Sequence, residues 1–132
     1  MPAGASVPVP RIAASDLEAL LAGAPAGLWV LDTRPAEAFE EGHVPGSLHC
    51  PVHDLSRRER ELPSKGETVV VVGEAGSRGR ASAVFLYLAW FAGVVLLEGG
   101  FPAWRGPVEK GPGRPLSDAR PAKPPGWVDP PS

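Results

Sequence analysis

The sequence predicts a small three-layer α/β domain, in which helices cover both faces of a mostly parallel sheet. Apolar runs at residues 28–31, 69–72 and 94–97 are short and rich in valine and leucine, as buried strands are. Stretches of helical character separate these runs, and parallel neighbours require such crossover connections. The length of 132 residues suits one domain with a sizeable buried core.

The first half of the chain carries signals for helix ends. Ser15 and Glu18 have the spacing of a capping box, and Gly23 with Pro25 ends the helix that follows. Pro35 suits the first turn of the next helix, because its missing N–H would have no partner there. The elements predicted up to residue 62 are a short helix beginning at Ser15, a strand at 27–32, a helix at 36–41, a strand at 47–50 and a charged surface helix at 54–62.

A glycine-rich turn at residues 73–79 follows the predicted central strand 68–72 and precedes a helix. Backbone N–H groups at a helix N-terminus point into such a turn, and the helix dipole adds partial positive charge. Arg78 and Arg80 add full charges. The arrangement predicts a cradle for an anion, which either supports a nucleophile or serves for binding alone.

Residues 81–97 carry no charge and need to be considered as a membrane span. The run is shorter than the roughly 20 apolar residues that a spanning helix needs, and Gly93 divides it. We therefore predict no membrane span, but a helix ending at Ala92, a turn at Gly93 and a buried strand at 94–97. Helix 80–92 is more apolar than burial on one side requires, so part of it could contact a partner.

The composition changes after Trp104. Eight of the 26 residues from Pro107 to Ser132 are proline, and they show no apolar periodicity, so this tail cannot form a helix or a central strand. We expect an extended arm that is disordered or lies along the surface. Trp127 could anchor it to the body or to another chain, and self-association through the tail or through helix 80–92 remains open.

Charge and cysteine content exclude several classes of function. The sequence has 13 Lys and Arg against 15 Asp and Glu, so it has no net positive charge that would attract nucleic acid or an anionic membrane. The single cysteine, Cys50, excludes an internal disulfide and a thiolate cluster for zinc or iron–sulfur, which suits a reducing compartment. The N-terminus has neither a basic region nor a continuous apolar region, so we expect no secretory signal and a cytoplasmic protein.

Two separated motifs carry a family resemblance. The segment L-D-T-R-P-A-E-A-F-E-E-G-H-V-P-G-S at residues 31–47 resembles the first signature of the rhodanese domain, and L-E-G-G-F-P-A-W at 97–104 resembles its closing signature. The resemblance covers about residues 8–106, which leaves 1–7 as an N-terminal extension and 107–132 as a tail. It implies a three-layer rhodanese-like domain with a mostly parallel five-stranded sheet.

The resemblance also implies a chemistry, because active members of this family transfer sulfur. In them, a cysteine directly after the central strand takes sulfane sulfur from a donor such as thiosulfate and holds it as a persulfide. That step needs a thiolate and a positive cradle. The motif places Gly73 at the position of this cysteine, Gly76 at the mid-loop glycine and Arg78 at the cationic position entering the helix.

The rest of the loop offers no substitute nucleophile. Glu74 stands where active members often carry a basic residue, and a carboxylate there opposes anionic donors. Ser77 would need an activating base, and none is evident in the loop. The loop predicted to bind a ligand consists of Gly73, Glu74, Ala75, Gly76, Ser77, Arg78 and Gly79.

Cys50 has two interpretations. It ends a predicted strand and so lies toward the carboxyl edge of the sheet, where ligands bind in parallel sheets, which would suit a displaced nucleophile. In the other interpretation it fills an apolar position in the core, as free cysteine commonly does. Only His49 and His53 are near enough in sequence to depress its pKa, so we favour the core position.

The remaining polar residues have structural explanations. The spacing of His43, His49 and His53 fits no familiar zinc pattern, so we expect no metal and no cofactor. Asp32 and Arg34 of the first signature are expected to brace the strand-to-helix turn, with ligand contact as the alternative. The residues assigned to structural motifs are Asp32, Arg34, His43, Gly46 and Trp104.

Two hypotheses for function follow. The favoured one is a rhodanese-like domain without its catalytic cysteine, which binds a small anion or a protein partner as a regulatory module. The alternative is an active sulfurtransferase that uses Cys50 or a partner's thiol brought to the cradle. The sequence names neither the partner nor the ligand.

Overall fold

The structure is a computed structural model that describes residues 9–23, 26–63, 65–74, 77–89, 91–114 and 116. For residues 77–79 it describes the backbone alone. The helices are α1 (Ala14–Ala22), α2 (Ala36–Glu41) and α3 (Ser77–Leu88), and the strands are β1 (Arg11–Ile12), β2 (Leu28–Asp32), β3 (Leu48–His49), β4 (Thr68–Val72) and β5 (Gly93–Leu97).

The five strands form one parallel sheet in the order β1-β5-β4-β2-β3, which confirms the predicted α/β class and strand number. Strand β4 is central because it consists of Thr68 and four valines, which suit burial on both faces of a sheet. Successive side chains of a strand point to opposite faces. Accordingly, Val69 and Val71 lie in one hydrophobic cluster, and Val70 and Val72 lie in the other.

Helix α1 begins one residue before the predicted Ser15. Its N-cap is Ala13, and no side chain caps the first turn, so the predicted capping box is wrong. The cause lies in β1, a two-residue strand too short for any periodic signal. Strand β1 pairs with β5 through bonds from the Leu96 N–H to Pro10 O and from the Glu98 N–H to Ile12 O, and this pairing brings the chain to the helix start.

The predicted surface helix at 54–62 is also wrong. The chain instead forms two short 3₁₀ turns, Val52–Asp54 and Glu59–Glu61. Two ion pairs in this segment, Arg57–Asp54 and Arg58–Glu61, join residues three apart, which is the spacing that a 3₁₀ turn aligns. Leu55 and Leu62 anchor the segment by burial in the core.

Helix α3 ends at Leu88, four residues before the predicted end, and the strand after it starts at Gly93 rather than at residue 94. Gly93 pairs with Thr68, and a Cβ on Gly93 would collide with the Glu67 carbonyl oxygen. The glycine therefore permits close strand pairing instead of forming a turn. No helix in the described parts of the chain is long and apolar enough to cross a membrane.

The described part of the C-terminal tail, residues 107–114 and Leu116, lies along the body, and we call it the strap. Glu109 forms an antiparallel bridge with His43, and Arg114 forms a parallel bridge with Leu48 of the edge strand β3. Leu116 is buried in the larger of the two hydrophobic clusters, the one that contains Val69 and Val71. The predicted anchor Trp127 lies outside the described residues.

Candidate functional site

A pocket of about 450 Å³ opens at the carboxyl edge of the sheet, where ligands bind in parallel α/β folds. Turns that follow β2, β3 and β4 form most of its wall, because parallel strands all end at this edge. The residues that line it are Thr33, Arg34, Pro35, Ala36, Pro51, Val52, His53, Gly73, Glu74 and Ala81.

The turn after β2 is built on a buried ion pair. The Arg34 guanidinium donates hydrogen bonds to the Asp32 carboxylate. Its Nε lies 3.0 Å from Oδ1 and 3.1 Å from Oδ2, and its Nη2 lies 2.8 Å from Oδ2. The Arg34 backbone N–H donates a further bond of 2.9 Å to Asp32 Oδ1. Both side chains are almost fully buried, so each charge depends on the other for compensation.

The same guanidinium reaches two other parts of the site. Its Nη2 donates to the Gly42 carbonyl at 2.7 Å, which ties the turn to the end of α2. Its central carbon lies 4.1 Å from the centre of the Phe101 ring, the geometry of a cation–π contact. Arg34 therefore lines the pocket with most of its bonding capacity already engaged within the protein.

The turn after β4 begins at Gly73, which directly follows Val72 and is buried. The Gly73 carbonyl accepts a bond of 2.8 Å from the Phe101 N–H. Gly100 makes this approach feasible: a Cβ there would lie 2.5 Å from the Gly73 carbonyl oxygen, and its φ of 65° disfavours other residues. In the sequence, Gly100 is the second glycine of the closing signature L-E-G-G-F-P-A-W, but the signature does not predict this contact.

The predicted ligand loop is only partly described. Gly73 and Glu74 lie in the pocket wall. Ala75 and Gly76 lie outside the described residues, and so do the side chains of Ser77 and Arg78. Helix α3 begins at Ser77, so the last three residues of the predicted loop, 77–79, belong to the first turn of the helix.

Cys50 is fully buried in the larger hydrophobic cluster. Burial raises the pKa of its thiol from 9.0 to about 11, opposed in part by the positive charge of Arg58 and reinforced by Asp54. At neutral pH about one thiol in ten thousand would be ionised with such a pKa. Its contacts are those of an apolar core residue, and it does not line the pocket.

The three histidines lie in different surroundings. His43 is buried, stacked at 3.8 Å on the Phe39 ring, with Nδ1 donating to Phe39 O at 2.8 Å. His49 bonds through Nε2 to Arg34 O at 2.8 Å, and exposed His53 lines the pocket. No group of three or more potential ligands could hold a metal ion anywhere in the described residues.

The other two signature residues shape the backbone away from the pocket. Gly46 has a φ of 78°, which favours glycine in the turn before β3. Trp104 is buried, and its indole N–H donates to Pro107 O at 2.8 Å, which fixes the start of the strap. Sequence reasoning missed the strap's partner for His43, the Glu109 carboxylate at 3.2 Å, because the two residues are far apart in the chain.

Comparisons with known proteins agree with this architecture. The family model for the rhodanese-like domain matches residues 13–107. The thiosulfate sulfurtransferase GlpE of Pseudomonas syringae pv. syringae is 33% identical over 79 residues, which cover 60% of this chain and 74% of that protein. The putative sulfur carrier protein YrkF of Bacillus subtilis is 28% identical over 80 residues, which cover 61% of this chain and 43% of that protein.

Solved structures show the same fold. The rhodanese-like domain of an Anabaena protein has a TM-score of 0.71 at 25% identity and covers 93% of this chain and 92% of its own. A rhodanese-like domain protein from Staphylococcus aureus has a TM-score of 0.71 at 21% identity, covering 78% of this chain and 99% of its own. The chain therefore belongs to the family of rhodanese-like domains.

Proposed function

We propose that this rhodanese-like domain has no sulfurtransferase chemistry of its own and acts as a regulatory module that binds a small anion or a protein segment. The observation that carries the proposal is Gly73, which occupies the first position after the central strand and lines the pocket. By resemblance to the family, this is where active members carry their cysteine. Glycine has no side chain, so no persulfide can form there.

The position of Cys50 supports the same proposal. It is the only cysteine of the chain, it lies in the core, and its raised pKa keeps it in the thiol form, which is a poor nucleophile. A persulfide on Cys50 would need room for an extra sulfur atom among close-packed apolar side chains. Sulfur transfer through this residue would require the core to open.

The pocket keeps features suited to binding. The 12-residue helix α3 begins at Ser77, close in sequence to the pocket residues Gly73 and Glu74, and a helix N-terminus favours a negative group. Pro35, Pro51 and Val52 offer apolar surface beside that end of the helix. A small anion or a protein segment with an apolar side chain would find complementary surface in this pocket.

The experiment is a thiosulfate–cyanide assay that follows thiocyanate. We expect the wild-type protein and Cys50→Ala to give the same rate as buffer without protein. Wild-type turnover above that rate would overturn the proposal, whether or not Cys50→Ala abolished it. Titration with sulfate, followed through the backbone amide signals of Gly73 and Glu74, measures anion binding separately.

Sulfur transfer remains the second candidate, because a relative with 33% identity is named a thiosulfate sulfurtransferase. In this candidate, Cys50 or the thiol of a partner protein supplies the sulfur nucleophile. A partner with a reactive cysteine, added to the same assay, would then give turnover that depends on both proteins. The first proposal predicts no such gain.

A further inference from the structure

Much of the pocket wall is apolar. Its apolar residues come from three separate parts of the chain: Pro35 and Ala36 at the start of α2, Pro51 and Val52 after β3, and Ala81 in α3. A volume of about 450 Å³ is within the range of pockets that bury a compact ligand, and an apolar wall gains most from an apolar side chain.

The strap brings the chain toward this pocket. Its bridge between Arg114 and Leu48 is parallel, so the chain at Arg114 runs in the same direction as β3. Strand β3 runs toward the carboxyl edge of the sheet, where Pro51, Val52 and His53 line the pocket. Leu116, two residues beyond the bridge, is buried in the cluster that also contains Cys50.

Several bonds fix the strap before that point. His43 and Glu109 exchange two backbone bonds of 2.9 Å each, and the Gly111 N–H donates to Glu40 O at 2.9 Å. The Arg114 guanidinium lies over the Trp29 ring, 5.1 Å from its centre. The chain that continues from Leu116 therefore starts from a fixed place on the body.

The sequence beyond Leu116 has the composition to fill an apolar pocket. Residues 117–127, which lead from Leu116 to Trp127, can extend to roughly 35 Å. Within them, residues 124–128 read P-P-G-W-V, an uncharged stretch that contains Trp127. A tether of this length also gives the segment an effective concentration near the pocket of about millimolar order.

We propose that Trp127 and its neighbouring prolines occupy the carboxyl-edge pocket when no partner is bound. This inference rests on the proposed binding function of the pocket. An external ligand must then displace the segment, which lowers its apparent affinity.

The test places a nitroxide spin label next to Trp127 in the full chain through Asp129→Cys. Buried Cys50, with its raised pKa, leaves the added thiol as the selective site of labelling. We expect strong paramagnetic broadening of the amide signals of Gly73, His53 and Ala36. The signals of Gly27 and Gly66, which precede β2 and β4 at the opposite edge of the sheet, should keep their intensity.

Three variants sharpen the result. Trp127→Ala in the labelled chain should abolish the broadening at the pocket. Ala36→Phe, which places a large side chain in the pocket wall, should also abolish it, whereas Ala19→Phe should not. Ala19 is a matched control, because it is an exposed helical alanine that does not line the pocket.

Mixing isotope-labelled wild-type protein with spin-labelled protein of natural isotope content shows whether the segment enters the pocket of its own molecule or that of another copy. Broadening only within one molecule supports the proposal. Equal broadening between molecules would mean that the segment is exchanged between copies, and absent broadening would mean that it does not enter the pocket; either result overturns the inference. The thiocyanate assay tests the proposed function independently of these outcomes.

Discussion

The turns that follow β2 and β4 lie side by side at one edge of the sheet and line the same pocket, but they are built differently. The turn after β2 is held by charged side chains, with Asp32 and Arg34 locked in a buried pair. The turn after β4 begins at a residue without a side chain, Gly73, and is held through its backbone. Phe101 contacts both turns, through its ring to Arg34 and through its N–H to Gly73.

This difference shows that the two turns depend on side chains to different degrees. The Gly73 backbone contact to Phe101 does not depend on which side chain position 73 carries. The turn after β2, in contrast, depends on both members of its ion pair. The predictions below test this contrast, beginning with the largest expected effect.

Asp32→Ala should have the largest effect, because it leaves the Arg34 charge buried without its partner. We expect the free energy of unfolding in urea to fall by about 3–5 kcal/mol. Glu61→Gln, which breaks the exposed pair with Arg58, is the control and should cost less than about 1 kcal/mol. Similar losses for the two variants would contradict the bracing role of the Asp32–Arg34 pair.

Cys50 should be a poor nucleophile in the folded protein. It would then be unable to replace the nucleophile that Gly73 does not supply in the turn after β4. The pKa rises from 9.0 to about 11 on folding, so the thiolate population below pH 9 should fall about 100-fold. We expect alkylation by iodoacetamide at pH 8 to be at least about 100-fold slower in the folded protein than in urea. A native rate near the urea rate would contradict the buried position.

The same shift has a consequence for stability at high pH. The folded-state pKa lies above the unfolded value, so the folded state holds the thiol proton more tightly. The contribution of this proton to the free energy of unfolding is therefore fully present below pH 9, and it is lost as the pH rises through about 11. Cys50→Val, which cannot ionise, should weaken this part of the pH dependence.

Gly100→Ala should disturb the turn after β4 through the backbone. Gly27→Ala is a matched control, because the two glycines have φ values of 65° and 77° but a Cβ on Gly27 meets nothing within 4 Å. We expect Gly100→Ala to lower the unfolding free energy by roughly 1–3 kcal/mol more than the control. Equal losses would mean that the approach of Gly100 to Gly73 does not hold the turn.

Local signals in the sequence predicted the sheet well. The valine run predicted β4 with its observed bounds, and β2 was predicted to within one residue, because long apolar runs identify buried strands. Strand β1, the two 3₁₀ turns and the start of α1 depend on pairing or packing with distant residues. No local pattern could predict them.

Some features of the site could also be predicted from the sequence, and others could not. The resemblance indicated that Gly73 stands where active members of the family carry cysteine, and the structure places Gly73 and Glu74 in the pocket wall. The pairing of Asp32 with Arg34 could be anticipated because the residues are two positions apart. The contacts of Phe101, Gly100 and Glu109 join residues that are far apart in sequence, so only the fold brings them to their partners.

The most direct test of the central claim is intact mass spectrometry after incubation with thiosulfate, for the wild-type protein beside Gly73→Cys. We predict that the wild type gains no sulfur, whereas Gly73→Cys gains one sulfur atom that cyanide removes, with greater occupancy when Glu74→Arg is added. A sulfur atom on wild-type Cys50 would contradict the account, as would a folded Gly73→Cys protein that takes up none.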